Sequence, residues 1–209
     1  MARGSFTFYG SFLSGPSYKV GLMLRLCGVA YDYRHVDLAK GAQKTPEFLA
    51  INRYGQVPAI VHQGQGFCQS NSILTYLSET FGKYGAAGAL RWRAHEWLQW
   101  EADKLMPGIA RTRFFTKFVK AEPAVAENFR KSAEGALNQL NGLLGASDFA
   151  LGASPSLVDV ALYATVWQTE DGKIDISGLA NILAWKKRVE ALPGFGLPRD
   201  VLFKEDHDA

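Results

Sequence analysis

Cysteine, histidine and surplus positive charge are all scarce in this 209-residue chain. The two cysteines, Cys27 and Cys68, each stand alone within an apolar segment, so they form neither a disulfide framework nor a zinc spacing. The four histidines, His35, His62, His95 and His207, are scattered and show no metal-ligand pattern. The formal net charge is only +3, with no Lys/Arg-rich block and no basic helix face, which removes the electrostatic footprint of a nucleic-acid binder. No apolar run reaches the ~18 residues needed to span a bilayer. The stretch from Met1 to Phe12 has few apolar residues and is interrupted by Gly and Ser, unlike a secretory signal. The expectation is a cytoplasmic protein without membrane or nucleic-acid partners and without a metal or redox cofactor. Hydrophobic residues make up 47% and charged residues 21%, which fits a chain with a packed core and not a disordered one.

The first half alternates strand-like and helix-like segments. Phe6-Thr7-Phe8-Tyr9 is aromatic and β-branched and predicts a short strand. The Gly, Ser and Pro between Gly10 and Ser17 predict a loop. Val20, Met23, Leu24 and Cys27 recur at helical spacing, with Gly28 where a C-terminal cap belongs. Tyr31 to Val36 predicts a strand, Thr45 to Ile51 a short helix, and Val57 to Val61 a third strand with Pro58 near its start. Gly64 and Gly66 flank a turn before a fourth strand through Phe67-Cys68, and Ile73, Leu74, Leu77 and Phe81 mark another helix. The predicted order is β-α-β-α-β-β-α over residues 1–82, with a linker at 83–89. Residues 90–209 then read as all-helical. A long helix from Leu90 to Phe118 bends near Pro107-Gly108; others follow Glu122-Pro123, begin at Ser156, and run from Leu179 to Leu192. Ser156-Leu157-Val158-Asp159 fits a capping box. Its helix is apolar all round, as a buried helix must be.

Three stretches together resemble glutathione S-transferases, in particular bacterial members with a serine-type N-terminal motif. Tyr9 to Val20 resembles the strand-loop-helix of the serine-type classes, Asn52 to Ala59 the segment carrying the family's cis-proline, and Gln69 to Leu77 the glutathione-binding signature. Phe149 to Asp159 resembles the capped helix of the family's second domain, and the segment from Gln99 to Phe114 resembles its long helix. The resemblance implies an α/β thioredoxin-like N-terminal domain plus an all-α C-terminal domain. It implies an enzyme that joins glutathione, as co-substrate, to a small hydrophobic electrophile. The alternatives on the same scaffold are a glutathione-dependent peroxidase, lyase or isomerase, or a non-catalytic binding protein, because a fold alone does not fix function.

That chemistry needs a thiolate, and a free thiol with pKa ~8.5 is only a few per cent ionised at pH 7. A hydroxyl bonded to the anion, at the start of a helix, favours ionisation. The resemblance assigns this role to Ser14, with Ser11, Ser17 and Tyr9 as rivals. It assigns peptide binding to Gln43, Lys44, Gln56, Val57, Pro58, Gln69 and Ser70. A cis Val57-Pro58 bond would turn the Val57 N–H and C=O outward to pair with the tripeptide backbone. Ser70, opening a helix, would meet the γ-glutamyl carboxylate. Gln69 stands where many serine-type members have Glu, and Gln43-Lys44 where many have His-Lys. Phe12, Met106, Arg113 and Phe114 are the residues proposed to line an electrophile pocket between the domains. Tyr54 aligns with an aromatic that inserts into a partner subunit in several classes, implying a homodimer.

Overall fold

The computed structural model describes residues 6–208. Residues 1–5, which belong to the stretch read above as no secretory signal, lie outside them. The chain divides into two compact units, residues 84–191 and the remainder.

Unit 1 is built on a four-stranded sheet of order β2-β1-β3-β4, with β1 Phe6–Gly10, β2 Asp32–His35, β3 Ala59–His62 and β4 Gln65–Cys68. The β1/β2 pair is parallel, whereas β1/β3 and β3/β4 are antiparallel. The helices α1 Gly15–Cys27, α2 Pro46–Ile51 and α3 Ser70–Phe81 complete the β-α-β-α-β-β-α order expected from the sequence. Side chains alternate along β1. Phe6 turns to Phe81 of α3, with ring centroids 5.9 Å apart, and Tyr9 turns the other way to Phe48 of α2, at 6.1 Å. Val36, Phe48 and Ala59 form a small core under α2, with Tyr9 and Val57 packed against it.

Helix α1 starts at Gly15, earlier than the loop predicted through Ser17, because Ser14 caps it and Pro16 suits its first turn. Gly28 closes it in the left-handed conformation, as its position foretold.

The domain partition needs a correction. Residues 192–209, assigned from the sequence to the helical half, belong to unit 1. The Tyr18 hydroxyl donates to Gly196 O at 2.8 Å, and the short helix α9 Pro198–Val201 lies so close to α1 that a Cβ on Gly21 would sit 3.0 Å from Val201 Cγ2. Beyond it, His207 pairs with Tyr33 as an antiparallel bridge on the free edge of β2.

Unit 2 contains the helices α4 Ala89–Trp100, α5 Met106–Lys117, α6 Pro123–Leu143, α7 Leu157–Val166 and α8 Ala180–Glu190. The bend expected near Pro107 is a π-helical turn over Glu101–Leu105, in which Met106 N–H donates to Glu101 O, five residues back. Pro107 has no N–H, and its ring would crowd the carbonyl of Asp103, so the helix widens just ahead of it. Gly108 then lets α5 approach α6: a Cβ there would lie 2.7 Å from Ala133 N.

The capping box at Ser156 is present and larger than its sequence pattern suggested. The fully buried Asp159 carboxylate accepts from Ser156 N, Ser156 Oγ, Ala150 N and Trp185 Nε1, each at 2.9 Å. Burial pushes its carboxyl above the ordinary range, while these bonds work in the opposite direction. One side chain thus joins the start of α7, the preceding loop and the core tryptophan of α8.

Candidate functional site

In unit 1 the sheet register brings several of the expected site residues to one end of β1. Tyr9 lies opposite Ala59 in an antiparallel pair, so the chain leaving β1 through Ser11 runs beside the segment entering β3 through Val57 and Pro58. The Val57-Pro58 bond is cis. Val57 lies ahead of the first paired residue of β3, and its N–H and C=O form no turn or loop hydrogen bond among the described residues.

Three serines compete around the start of α1, and their surroundings differ. Ser17 is fully buried, and its Oγ accepts from Ser11 N at 3.3 Å. Ser11 is 1% exposed, with a hydroxyl that has no partner among the described residues. Ser14 is half-buried, and its Oγ accepts from Ser17 N at 3.1 Å. Accepting that bond fixes the oxygen at the mouth of α1 and leaves its own O–H hydrogen to donate. Capping the helix and donating to an anion are therefore compatible. Tyr9 packs edge-on against Phe48 and lines a cavity of about 360 Å³ with Val36 and Ile51, on the α2 side of the sheet.

The peptide-site residues form a connected row. Lys44 holds its ammonium against Gly55, where a Cβ would come within 2.8 Å of Nζ. Gly55, at φ +57°, needs the freedom that glycine has. Gln56 is exposed, and its carbonyl accepts from Asn52 Nδ2 at 2.6 Å. Gln69 Nε2 donates to Gln56 Oε1 at 3.4 Å, so two amides from distant sequence positions meet. Gln69 has φ +68° and ψ 111°, a rare conformation for a residue with a Cβ. Such strain is typical of ligand clamps, and here it aims the first N–H groups of α3, beginning at Ser70. Gln43 departs from this row, with its amide oxygen buried and unpartnered among the described residues.

Sequence reasoning passed over two supports. Asn52, 1% exposed, bridges Gln56 O and Tyr54 N with its side chain. Asn ahead of a Tyr-Gly turn was a readable signal for such a bridge. Lys19, 1% exposed, donates from Nζ to Asn71 Oδ1 at 3.1 Å and ties α1 to the first turn of α3. A lysine inside an apolar helix pattern gave no comparable sign.

The residues expected to line an electrophile pocket divide between the units. Phe12 is in unit 1 and partly exposed; Met106, Arg113 and Phe114 are in unit 2. Arg113 is largely buried, and its Nε pairs with Asp171 at 2.9 Å, which commits its charge. Burial alone would raise the Asp171 carboxyl, but Lys117 and Arg113 together hold it below the usual carboxylate range. Phe114 packs on Phe115 and Phe118. Of the cysteines, Cys27 is buried, which pushes its thiol up to about 11, and Cys68 is half-buried.

The family models described as glutathione S-transferase N-terminal domain and C-terminal domain match residues 14–80 and 123–188. A glutathione S-transferase of Pseudomonas fluorescens Pf-5 is 30% identical at TM-score 0.87, covering 92% of this chain and 98% of that one. This chain belongs to the glutathione S-transferase family. A possible glutathione S-transferase of Rhodopseudomonas palustris is likewise 30% identical, at TM-score 0.85, covering 92% of this chain and 89% of that one. A glutathione transferase family member from Pseudomonas fluorescens Pf-5, solved with two glutathione molecules bound, shares the fold at 23% identity and TM-score 0.82, covering 93% of this chain and 92% of that one. Within the family, the mixed sheet and the helical unit are the expected fold, and Ser14 opens the segment that the N-terminal model matches.

Proposed function

We propose that this transferase binds glutathione along the row from Lys44 to Ser70 and ionises its thiol beside Ser14. The observation that carries this reading is the Ser14 hydroxyl, fixed by the Ser17 N–H at the start of α1 with its own hydrogen available. Val57 supplies backbone groups for the cysteinyl part, with Pro58 setting the turn. The N–H groups of α3 from Ser70, beside Gln69, receive the γ-glutamyl carboxylate. Lys44, with Gln43 beside it, attracts the glycine carboxylate, and Gln56 holds the middle of the peptide. That a relative of this fold has been solved with two glutathione molecules bound supports glutathione as the ligand.

The reaction follows from the thiolate. Its lone pair forms a carbon–sulfur bond, the electrophile's bond to its leaving group breaks with that electron pair, and the thiol proton passes to water. Small apolar electrophiles are the expected second substrates, with Phe12 as a contact in unit 1, and consuming them is a detoxifying step. The cytoplasm, where thiols are kept reduced, supplies the required form of glutathione. Retention on immobilised glutathione, with elution by free glutathione, tests the first half of this reading. A protein that flows through unretained would defeat it.

We further propose that the chain works as a homodimer. Tyr54 is 47% exposed, its ring held by the Arg53 guanidinium at 4.8 Å. Helix α4 exposes Leu90 and Trp92, beside a cavity of about 470 Å³ lined by Trp97, Trp100 and Leu143. Apolar patches of this kind usually mark association sites. Sedimentation velocity is expected to give a species of twice the 23.0 kDa chain mass. Tyr54→Ala should shift it toward monomer at micromolar concentration, and a wild-type monomer would rule the proposal out.

A further inference from the structure

We propose that Lys204, held over Phe12 by the carboxy-terminal tail, makes the enzyme favour electrophiles that carry a carboxylate. The inference rests on the transferase reading above and adds a substrate class to it. Phe12 stands two residues before Ser14 with its ring 38% exposed. The His35 imidazole stacks on that ring, with centroids 5.6 Å apart and planes at 27°. Lys204 Nζ lies 5.3 Å from the centre of the same ring, within reach of a cation–π attraction. A positive charge therefore sits on the aromatic side chain that neighbours the thiolate loop.

The ammonium is held there because the tail is pinned on both sides of it. Leu202 is buried, and the Phe203 ring packs on Tyr33 at 5.4 Å. Asp206 Oδ1 accepts from His35 N at 2.8 Å. Tyr33 N donates to His207 O at 2.6 Å, and His207 N returns a bond to Tyr33 O at 3.0 Å. Asp208 pairs with Arg34 at 2.6 Å. An untethered tail lysine would spread its charge over a wide volume, whereas these contacts confine it.

The local charges are not equivalent. Arg34 is paired with Asp208, whereas the Asp206 carboxylate accepts from the His35 N–H and keeps its negative charge. Glu205 and Lys204 are both exposed to water, which screens each of them. Lys204 forms no ion pair with any described residue, so its ammonium remains open to a ligand carboxylate. An aromatic electrophile lying against Phe12 would bring a ring carboxylate toward this ammonium, whereas a neutral group at that position would gain nothing.

A matched pair of aryl chlorides tests this. In 4-chloro-3-nitrobenzoate and 4-chloro-3-nitrobenzamide the glutathione sulfur replaces chloride by the same addition and elimination. The two differ only in the carboxylate. The readout is the ratio of their kcat/KM values, each divided by its uncatalysed rate constant. Lys204→Gln is expected to lower this ratio about tenfold, Lys204→Arg to keep it, and raising the salt from 50 to 500 mM to lower it in the wild type, as screening of an exposed charge requires. A ratio that stays within twofold in Lys204→Gln overturns the inference while leaving the transferase reading intact. If the wild type turns over neither chloride, these two are not its substrates, and the preference is read from binding instead. Calorimetric binding of the two preformed S-aryl glutathione conjugates then tests Lys204 directly. A preference for the carboxylate conjugate that Lys204→Gln abolishes upholds it, and equal affinities in the wild type overturn it.

Discussion

Replacing Ser14 with alanine is expected to lower kcat/KM at pH 7 by about 8- to 25-fold. The magnitude follows from ionisation. An unaided thiol of pKa ~8.5 is ~3% thiolate at pH 7, and a hydroxyl bond to the anion, lowering that pKa by about one to two units, raises the fraction to ~24–76%. The same arithmetic fixes the pH dependence. The inflection in kcat/KM should move up by about one to two units in the variant, and by pH ~9.5 the two enzymes should differ by less than about twofold. A gap that persists undiminished at high pH would mean that Ser14 acts by something other than ionisation.

Alanine also removes a helix cap, at a cost of about 0.5–2 kcal/mol in stability. Ser14→Asp separates the two roles. Aspartate caps a helix as well as serine does, but it has no proton to donate and would repel a thiolate. It should therefore fold normally and still lose activity. Tyr9→Phe should stay within about twofold of the wild type, since Tyr9 packs edge-on against Phe48 beneath α2. If it proved the damaging substitution instead, the phenol would be the donor.

The largest expected effect on stability belongs to Asp159→Ala, which should destabilise the protein by about 3–5 kcal/mol. The substitution removes the common acceptor of four bonds, from Ser156 N and Oγ, Ala150 N and Trp185 Nε1. The Ser156 and Trp185 donors would stay buried, Trp185 fully so, while the Ala150 N–H is only part-buried. At the usual conversion for a chain of this length, the melting temperature should fall by about 10 °C. Asp159→Asn should cost less, because its remaining oxygen still serves one pair of donors while its amide faces the other pair. Urea and thermal unfolding of the two variants give the ranking. A loss below about 1 kcal/mol for alanine would show that the donors find other partners.

How much of this was legible in the sequence depends on how local each cause is. The β1–α1 connection was readable because Ser, Gly and Pro act within a few residues of themselves. Its boundary slipped by three residues because Ser14 and Ser17 are both good loop residues, and only the bond between them shows which one caps. The bend before α5 was readable from Pro107, although a proline does not announce whether a helix kinks or widens. The capping box at Ser156 was local too. The buried indole and the Ala150 amide that complete the Asp159 network lie far away in sequence or beyond the motif, and no pattern pointed to them.

The domain boundary shows the limit most clearly. Residues 192–209 open on Pro193-Gly194, Gly196 and Pro198, which stop the preceding helix without saying which domain the chain then joins. They join unit 1 because Gly196, Val201 and His207 meet Tyr18, Gly21 and Tyr33, partners more than 170 positions earlier in the chain.

By itself, then, the sequence determined the order of elements, the caps at Gly28 and Ser156 and the motif residues of a glutathione S-transferase, all of which arise from side-chain periodicity and short-range backbone preferences. Tertiary structure alone decided which of three serines keeps a half-exposed hydroxyl at the mouth of α1, that Gln56 meets Gln69, and that a terminal lysine rests on Phe12. Those outcomes depend on which distant surfaces close against each other, and burial and hydrogen-bond partners are properties of the closed packing.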